Sequence, residues 1–124
     1  MDLMADGAFQ LGSFAVRLAD ITDGLSFTIF AGEKHVQLGQ FGVGWNDCSQ
    51  YNGDYVVCAT RGAGTDYPLA ATPRDTGWRF GSYHPNICQF VFGDGSVRII
   101  QVSINPATLG LLAGINDGVP ITEF

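Results

Sequence analysis

The sequence predicts an α+β fold, in which a twisted antiparallel β-sheet includes a C-terminal β-hairpin followed by a short helix. Glycine supplies 17 of the 124 residues, about twice its usual share, which favours a chain with many turns. An Asp94-Gly95 pair separates two β-rich runs over 87–102, and the stretch 105–113 begins with Asn-Pro and continues with apolar residues. The length predicts one domain, 1–124.

The first third of the chain contains two strand candidates and one turn. Residues 14–18 alternate in polarity, which predicts a short strand. Asp20 is expected to cap a single helical turn, and Gly24 to end that turn in the left-handed region. The aromatic and β-branched run 27–31 predicts a second strand.

Two loops rich in Gly, Asn, Asp and Pro, over 37–54 and 60–79, flank another strand candidate at 55–59. Loops of this length in a small domain are usually functional surface or inserted connections. The aromatic residues in and around these loops are expected to pack on the sheet, and the alternative is that they line a groove for a sugar or a peptide. These residues are Phe41, Trp45, Tyr51, Tyr55, Tyr67, Trp78, Phe80 and Tyr83.

The hairpin has a predicted register if Asp94-Gly95 is taken as a two-residue loop. One face then holds three cross-strand pairs and is expected to be the core side. The pairs are Phe92 with Val97, Phe90 with Ile99, and Cys88 with Gln101.

The helix that follows the hairpin has clear end signals. Asn105 is a good N-cap, Pro106 suits the first helical position, and Gly114 suits the end. Leu109 and Leu112 fall on one stripe, which predicts that this helix packs on the sheet.

Charge and hydropathy argue against two classes of partner. The net charge is −6 with no Lys/Arg cluster, which disfavours binding to nucleic acid through its phosphates. No apolar run approaches the roughly 18 residues of a membrane span, and the N-terminus has neither the basic region nor the apolar segment of a signal peptide. We therefore expect this part of the protein to be soluble, without membrane contact of its own.

The cysteines, at positions 48, 58 and 88, form no C-x-x-C pair, so a structural zinc site is not expected. Cys48 and Cys58 could form a disulfide in an oxidising compartment, and Cys88 is expected to be a buried thiol. Asp47, Asn52 and Asp54 are weak calcium candidates, because an oxygen-rich loop can hold that ion. Their spacing is not that of an EF-hand, and we expect solvated turn residues and no cofactor.

Two motifs carry a family resemblance. Nine residues, Pro85 to Gly93, separate His84 from Asp94-Gly95, and residues 19–33 read ADITDGLSFTIFAGE. Together these stretches resemble the prepilin-type-processing-associated H-x9-DG domain family of planctomycetes. The positions that match its motifs are Asp20, Asp23, Gly24, Gly32, Glu33, His84, Asp94 and Gly95.

The resemblance implies a pilin-like globular head in an extracytoplasmic, cell-envelope protein. Full members of that family begin with a prepilin leader and a long apolar helix, which the resemblance places upstream of Met1. We therefore expect residues 1–124 to be the C-terminal part of a longer protein. The implied partners are other pilin-like subunits or envelope proteins, including further copies of this chain.

These observations favour a non-enzymatic, structural or assembly role in a pseudopilin-like protein, related to type II secretion or type IV pili. The alternative is an extracytoplasmic module that binds a glycan, a peptide or calcium through loops 37–80. A hydrolase is disfavoured because a straight strand would separate His84 from Asp94 by roughly 30 Å. The H-x9-DG motif is instead predicted to be a folding device, with Gly95 at positive φ and His84 near Asn105 at the helix start.

Overall fold

The structure is a computed structural model that describes residues 6–10, 15–51 and 55–124. A three-stranded antiparallel sheet forms its centre, in the order β1 (Ile29–Gly32), β2 (Ile87–Phe92), β3 (Val97–Gln101). The two α-helices are α1 (Val56–Ala59) and α2 (Pro106–Ala113). The predicted α+β fold, with a C-terminal hairpin followed by a short helix, is confirmed.

The core lies between the sheet and α2. Alternate residues of β2 point into it, as expected for a strand with one buried face. Leu109 and Leu112 of α2 are fully buried against them, which confirms the apolar stripe predicted for this helix. The core cluster consists of Ile29, Leu69, Cys88, Phe90, Phe92, Ile100, Leu109 and Leu112.

Helix α2 begins where the sequence predicts. Asn105 is its N-cap, and the side-chain Oδ1 accepts a hydrogen bond from the Ala107 N–H at 2.8 Å. Pro106 follows in the first turn, where its missing N–H costs nothing.

The loop of the β2–β3 hairpin has three residues, and the two-residue loop expected from the sequence is wrong. The Phe92 N–H donates to the Ser96 carbonyl at 2.9 Å, and the Gly95 N–H donates to the Phe92 carbonyl at 2.9 Å. A three-residue loop usually ends with a left-handed residue, and Gly95 supplies it with φ of 82°. The positive φ expected for Gly95 is therefore present.

One extra loop residue changes the partner of every residue in β2. Phe90 faces Arg98 and Cys88 faces Ile100, so the predicted pairs of Phe92, Phe90 and Cys88 are wrong. Val97 and Ile99 consequently turn away from the core, with 65% and 59% of their surfaces exposed. The side chains of β2 that were predicted to face the core do so. The prediction for β3 is wrong, because the opposite face of that strand points to the core.

Two of the short strands expected from the sequence, over 14–18 and 55–59, do not form within the described residues. Residues 15–17 have no regular structure and Leu18–Asp20 is a 3₁₀ turn, while Phe14 lies outside the described residues. The Asp20 carboxylate accepts the Arg17 N–H at 2.8 Å, which closes this turn. Asp20 therefore stabilises the turn that contains it, and not a turn that follows it. Gly24, at φ of 96°, precedes the next 3₁₀ turn, Leu25–Phe27, and does not end the first one.

The segment predicted as a strand over 55–59 forms the single helical turn α1. Its β-branched residues favour a strand, but local contacts favour the turn. The Thr60 N–H and hydroxyl both donate to the Val56 carbonyl, at 3.0 and 2.7 Å, and Arg61 donates to the Val57 carbonyl at 2.6 Å. These bonds satisfy the carbonyls that a short helix leaves open.

Gly32, at the end of β1, sits where two aromatic rings close over the backbone. A Cβ atom on Gly32 would overlap Cε1 of Phe90 and lie 2.9 Å from Cδ1 of Phe80. The two rings meet edge to face with centroids 5.3 Å apart. Glycine at this position therefore lets the core aromatics pack directly on β1.

We expect Gly32→Ala to lower the free energy of unfolding by about 1–3 kcal/mol, because an added methyl group must displace buried rings. Urea unfolding followed by circular dichroism measures the change. Gly44→Ala is the matched control, since a Cβ atom there meets nothing within 4 Å. Equal unfolding energies for the two variants would contradict this account of Gly32.

Candidate functional site

The two motif stretches bind each other. We call this contact the motif clasp, formed by residues 25–33 and 84–95. At the hairpin end, the Asp94 N–H donates to the Leu25 carbonyl at 3.2 Å and the Gly93 N–H donates to the Thr28 carbonyl at 2.9 Å. Between these bonds and Glu33, β1 pairs with β2 along the sheet. Residues distant in sequence are thus held together by backbone hydrogen bonds.

Glu33 closes the other end of the clasp. Its N–H donates to the Gln89 carbonyl at 3.2 Å, and its carboxylate Oε2 accepts the Gln89 N–H at 2.7 Å. The Glu33 carbonyl also accepts the Gly81 N–H at 3.0 Å. The other carboxylate oxygen, Oε1, lies 3.6 Å from Nε2 of His84, close enough for an ion pair when the imidazole is protonated. Glu33 therefore continues the β1–β2 pairing beyond the strand.

His84 and Asp94 have different partners. His84 is half-exposed and faces Glu33. The expectation that His84 lies near Asn105 was based on a two-residue hairpin loop, and that register is wrong. Asp94 accepts hydrogen bonds from the Ser96 N–H at 2.9 Å and the Ser96 hydroxyl at 2.6 Å, and it lies 3.4 Å from Nη2 of Arg98. The two motif residues thus stabilise opposite ends of the clasp.

The pKa of the Asp94 carboxyl is lowered to about 2. The main cause is the Ser96 hydroxyl, followed by the Ser96 N–H, and Arg98 adds a smaller favourable charge. The same Arg98 guanidinium lies over the Phe92 ring, 4.6 Å from its centroid. Arg98 is therefore held on the inner side of β3 by both a ring and a carboxylate.

The other acidic motif residue, Asp23, ties the first motif stretch to the C-terminal segment. Its carboxylate accepts the N–H groups of Asp117 and Gly118, each at 2.9 Å. The Thr22 N–H donates to the Ile115 carbonyl at 2.8 Å in the same region. Asp23 therefore acts on the fold through backbone donors, as Glu33 and Asp94 do.

Cys48 and Cys58, the pair considered from the sequence, form a disulfide, and Cys88 is a free, fully buried thiol. Burial raises the pKa of Cys88 to about 12, and the negative charge of Glu33 contributes. Such a thiol remains protonated at neutral pH and is a poor nucleophile.

The disulfide stands next to two partly buried cations that sequence reasoning missed. Nζ of Lys34 donates to the Cys48 carbonyl at 2.6 Å, and Nη1 of Arg61 donates to the carbonyls of Val57 and Thr60 at 2.6 Å. Lys34 is the only lysine of the chain and lies two residues after the end of β1, next to Glu33. A single lysine at the end of an apolar strand is the signal that could have identified it.

The calcium candidates are only partly within the described residues. Asp47 accepts the Gly42 N–H at 2.8 Å and lies 3.9 Å from Nζ of Lys34, so its carboxylate has protein partners. Asn52 and Asp54 lie outside the described residues. Within the described ranges, no three His, Cys, Asp or Glu side chains come together as a metal site would require.

The loop aromatics divide into an exposed set and a set that lines a cleft. Trp45 and Tyr55 meet edge to face with centroids 5.0 Å apart, and both are exposed. Phe41 and Tyr83 form a second exposed pair, with centroids 5.7 Å apart. Tyr51 is 98% exposed. The eight aromatic residues predicted as an alternative to line one groove therefore do not all lie together.

The cleft-lining set is Tyr67, Trp78 and Phe80. Tyr67 and Trp78 meet edge to face with centroids 5.8 Å apart, and Phe80 packs on Phe90 of the core. They border a cleft of about 740 Å³ that lies between β1, α2, and the segments 6–9 and 59–63. Lys34 and Arg61 line the same cleft. Its volume falls in the range of small-molecule sites.

The sequence profile of one protein family matches residues 3–107, and its description is "Protein of unknown function (DUF1559)". The chain belongs to this family. The DUF1559 match includes both motif stretches, the disulfide and most of the cleft. No curated protein and no solved structure matches the chain. Within the described part of this DUF1559 protein, no helix is both long and apolar enough to span a membrane.

We expect the Asp94 carboxyl to titrate near pH 2 in the folded protein, and Ser96→Ala to raise its pKa towards the ordinary 3.8. Because folding lowers this pKa, the interaction stabilises the fold above about pH 4 and is lost as the pH falls through 2. Side-chain carboxyl NMR during an acid titration measures both values. Ser103→Ala, an exposed serine after β3, is the control that should change nothing. A wild-type value near 3.8, or no response to Ser96→Ala, would contradict the assignment.

Proposed function

We propose that the chain is the non-enzymatic globular domain of a pilin-like cell-envelope protein, and that it serves assembly by pairing its β3 edge with β3 of a second copy. The H-x9-DG motif and the 19–33 stretch support the pilin-like assignment by resemblance. The Cys48–Cys58 disulfide fits an extracytoplasmic location, because such bonds persist in oxidising compartments.

The observation that carries the assembly role is the outer face of the hairpin. β3 is the last strand of the described sheet, so the backbone groups on its outer side have no strand to pair with. Val97 and Ile99 on β3 and Val91 on β2 expose 65%, 59% and 38% of their surfaces. An exposed apolar edge strand is a ready template for another strand.

The usual protections of an edge are missing from β3. Proteins place lysine, proline or a bulge on such strands to prevent unwanted pairing. Residues 97–101 read VRIIQ, and their one charged side chain, Arg98, is engaged on the inner side of the sheet. Two copies of β3 could therefore pair antiparallel, with the Val97 and Ile99 side chains in contact across the two-fold axis.

The motif residues support a structural role as well. Glu33, Asp94 and Asp23 all accept backbone N–H groups that hold the fold together. Carboxylates used in this way position strands and turns, which is a structural role. The buried Cys88 thiol adds no accessible nucleophile.

Sedimentation velocity over a range of concentrations tests this function. We expect the average mass to rise with concentration, and more steeply in salt, because screening reduces repulsion between chains of net charge −6. Ile99→Lys should abolish the rise by placing a charge in the edge. Val43→Lys, at a loop residue that is 47% exposed, is the matched control and should associate like the wild type.

A wild-type mass that stays monomeric up to about millimolar protein would overturn the proposed self-pairing. Association by Ile99→Lys equal to that of the wild type would also overturn it, because the contact would then lie elsewhere on the surface.

A further inference from the structure

The cleft has a wall built from three extended segments. Lys34 pairs with Phe80 through an isolated antiparallel bridge, and Gly62 pairs with Arg79 through a parallel one. Because neighbours along an extended chain alternate in direction, Trp78 and Phe80 point to the same side of this wall. That side lines the cleft, together with Lys34 and Arg61.

Two buried donors in this wall lack partners. Nε of Arg61 and Nε1 of Trp78 are both shielded from solvent, and neither has a hydrogen-bond partner among the described residues. A buried N–H without an acceptor costs about 1–3 kcal/mol. Both residues line the cleft through other atoms, so each side chain must turn towards the cleft before an oxygen-bearing ligand can supply the missing acceptor.

The same wall carries two positively charged side chains that are partly shielded from solvent. Burial lowers the pKa of Lys34, and the nearby charge of Arg61 lowers it further, while Asp47 opposes both effects. Burial also lowers the pKa of Arg61. Two cations held near each other with little solvent are stabilised when an anion binds between or beside them.

Aromatic rings complete this end of the cleft. Tyr67 and Trp78 meet at a right angle, with an interplanar angle of 88°, and so present both an edge and a face. At the C-terminal end of α2, Asp6 and Asp117 line the cleft with the opposite charge. These carboxylates disfavour a polyanion and can accept hydrogen bonds from hydroxyl groups.

We propose that this cleft binds an acidic sugar, whose carboxylate lies against Lys34 and Arg61 and whose ring packs on Trp78 and Tyr67. A uronic acid offers one carboxylate for the cations, oxygen acceptors for the two unpartnered N–H groups, and a C–H face for the aromatic rings. Its hydroxyl groups suit the acidic end of the cleft. The volume of about 740 Å³ leaves room for more than one sugar unit.

Tryptophan fluorescence provides a direct test, because the chain has two tryptophans. Trp45→Phe leaves Trp78 as the single tryptophan and changes only an exposed side chain. We expect titration of this variant with D-glucuronate to change its emission in a saturable way, and titration with uncharged D-glucose to give an affinity at least tenfold weaker.

Two further substitutions, made in the Trp45→Phe background or followed by calorimetry, locate the binding. Arg61→Gln should weaken glucuronate binding at least tenfold. Trp78→Phe keeps a ring but removes the N–H, and calorimetry should show weaker binding. Arg17→Gln, on an exposed arginine paired with Asp20, is the charge-matched control and should bind like the parent.

The results that overturn the proposal are distinct. No saturable response up to about 10 mM glucuronate, equal affinity for glucose, or undiminished binding by Trp78→Phe would each reject it. If Arg61→Gln does not fold, the Trp78→Phe measurement decides. Ile99→Lys should bind as the parent does, so a failure of self-association leaves this test unaffected.

Discussion

The pairing of β1 with β2, completed by the Glu33 carboxylate, is the interaction on which the rest of the structure depends. β2 is the central strand of the sheet and the main source of core side chains. Glu33 binds both the N–H and the carbonyl of Gln89, so it extends a four-residue strand by one further pair. Without this pairing the β2–β3 hairpin would have no third strand beside β2.

Several features follow from that pairing. Gly32 must lack a side chain because Phe90 of β2 and Phe80 close directly over it. The chain continues from β1 to Lys34, which pairs with Phe80 in the wall of the cleft. The alignment of β1 therefore also sets the position of Lys34. The disulfide then links Cys58 to Cys48, whose carbonyl accepts a hydrogen bond from the ammonium group of Lys34. The clasp and the cleft wall are thus two consequences of one strand alignment.

Local signals in the sequence were sufficient for the hairpin and for α2. The Asp94-Gly95 turn and the Asn105 cap depend on interactions between residues close in sequence, so both could be predicted from the sequence. The hairpin register could not be predicted from the sequence, because loops of two and of three residues both accept a glycine at positive φ. That single residue decides whether Val97 and Ile99 are core or surface.

Local bonds to carbonyl groups and long-range contacts together explain the remaining differences. The propensity of 55–59 for a strand is overridden by the bonds that Thr60 and Arg61 make to its carbonyls. The motif residues Glu33, His84 and Asp94 could be named from resemblance, but their partners depend on the fold. The sequence marks Lys34 as the only lysine, but it does not show that Lys34 and Arg61 meet, because that happens only after the loops have closed.

The central claim is that the motif residues hold two distant stretches of chain together. Amide hydrogen exchange on the wild type and on Glu33→Ala tests it most directly. The account predicts that the Gln89 and Gly93 amides are strongly protected in the wild type, and that Glu33→Ala lowers the protection of Gln89 much more than that of the Leu109 amide in α2. Protection of Gln89 that falls no more than that of Leu109 would show that the Glu33 carboxylate does not hold the clasp, and would contradict the account.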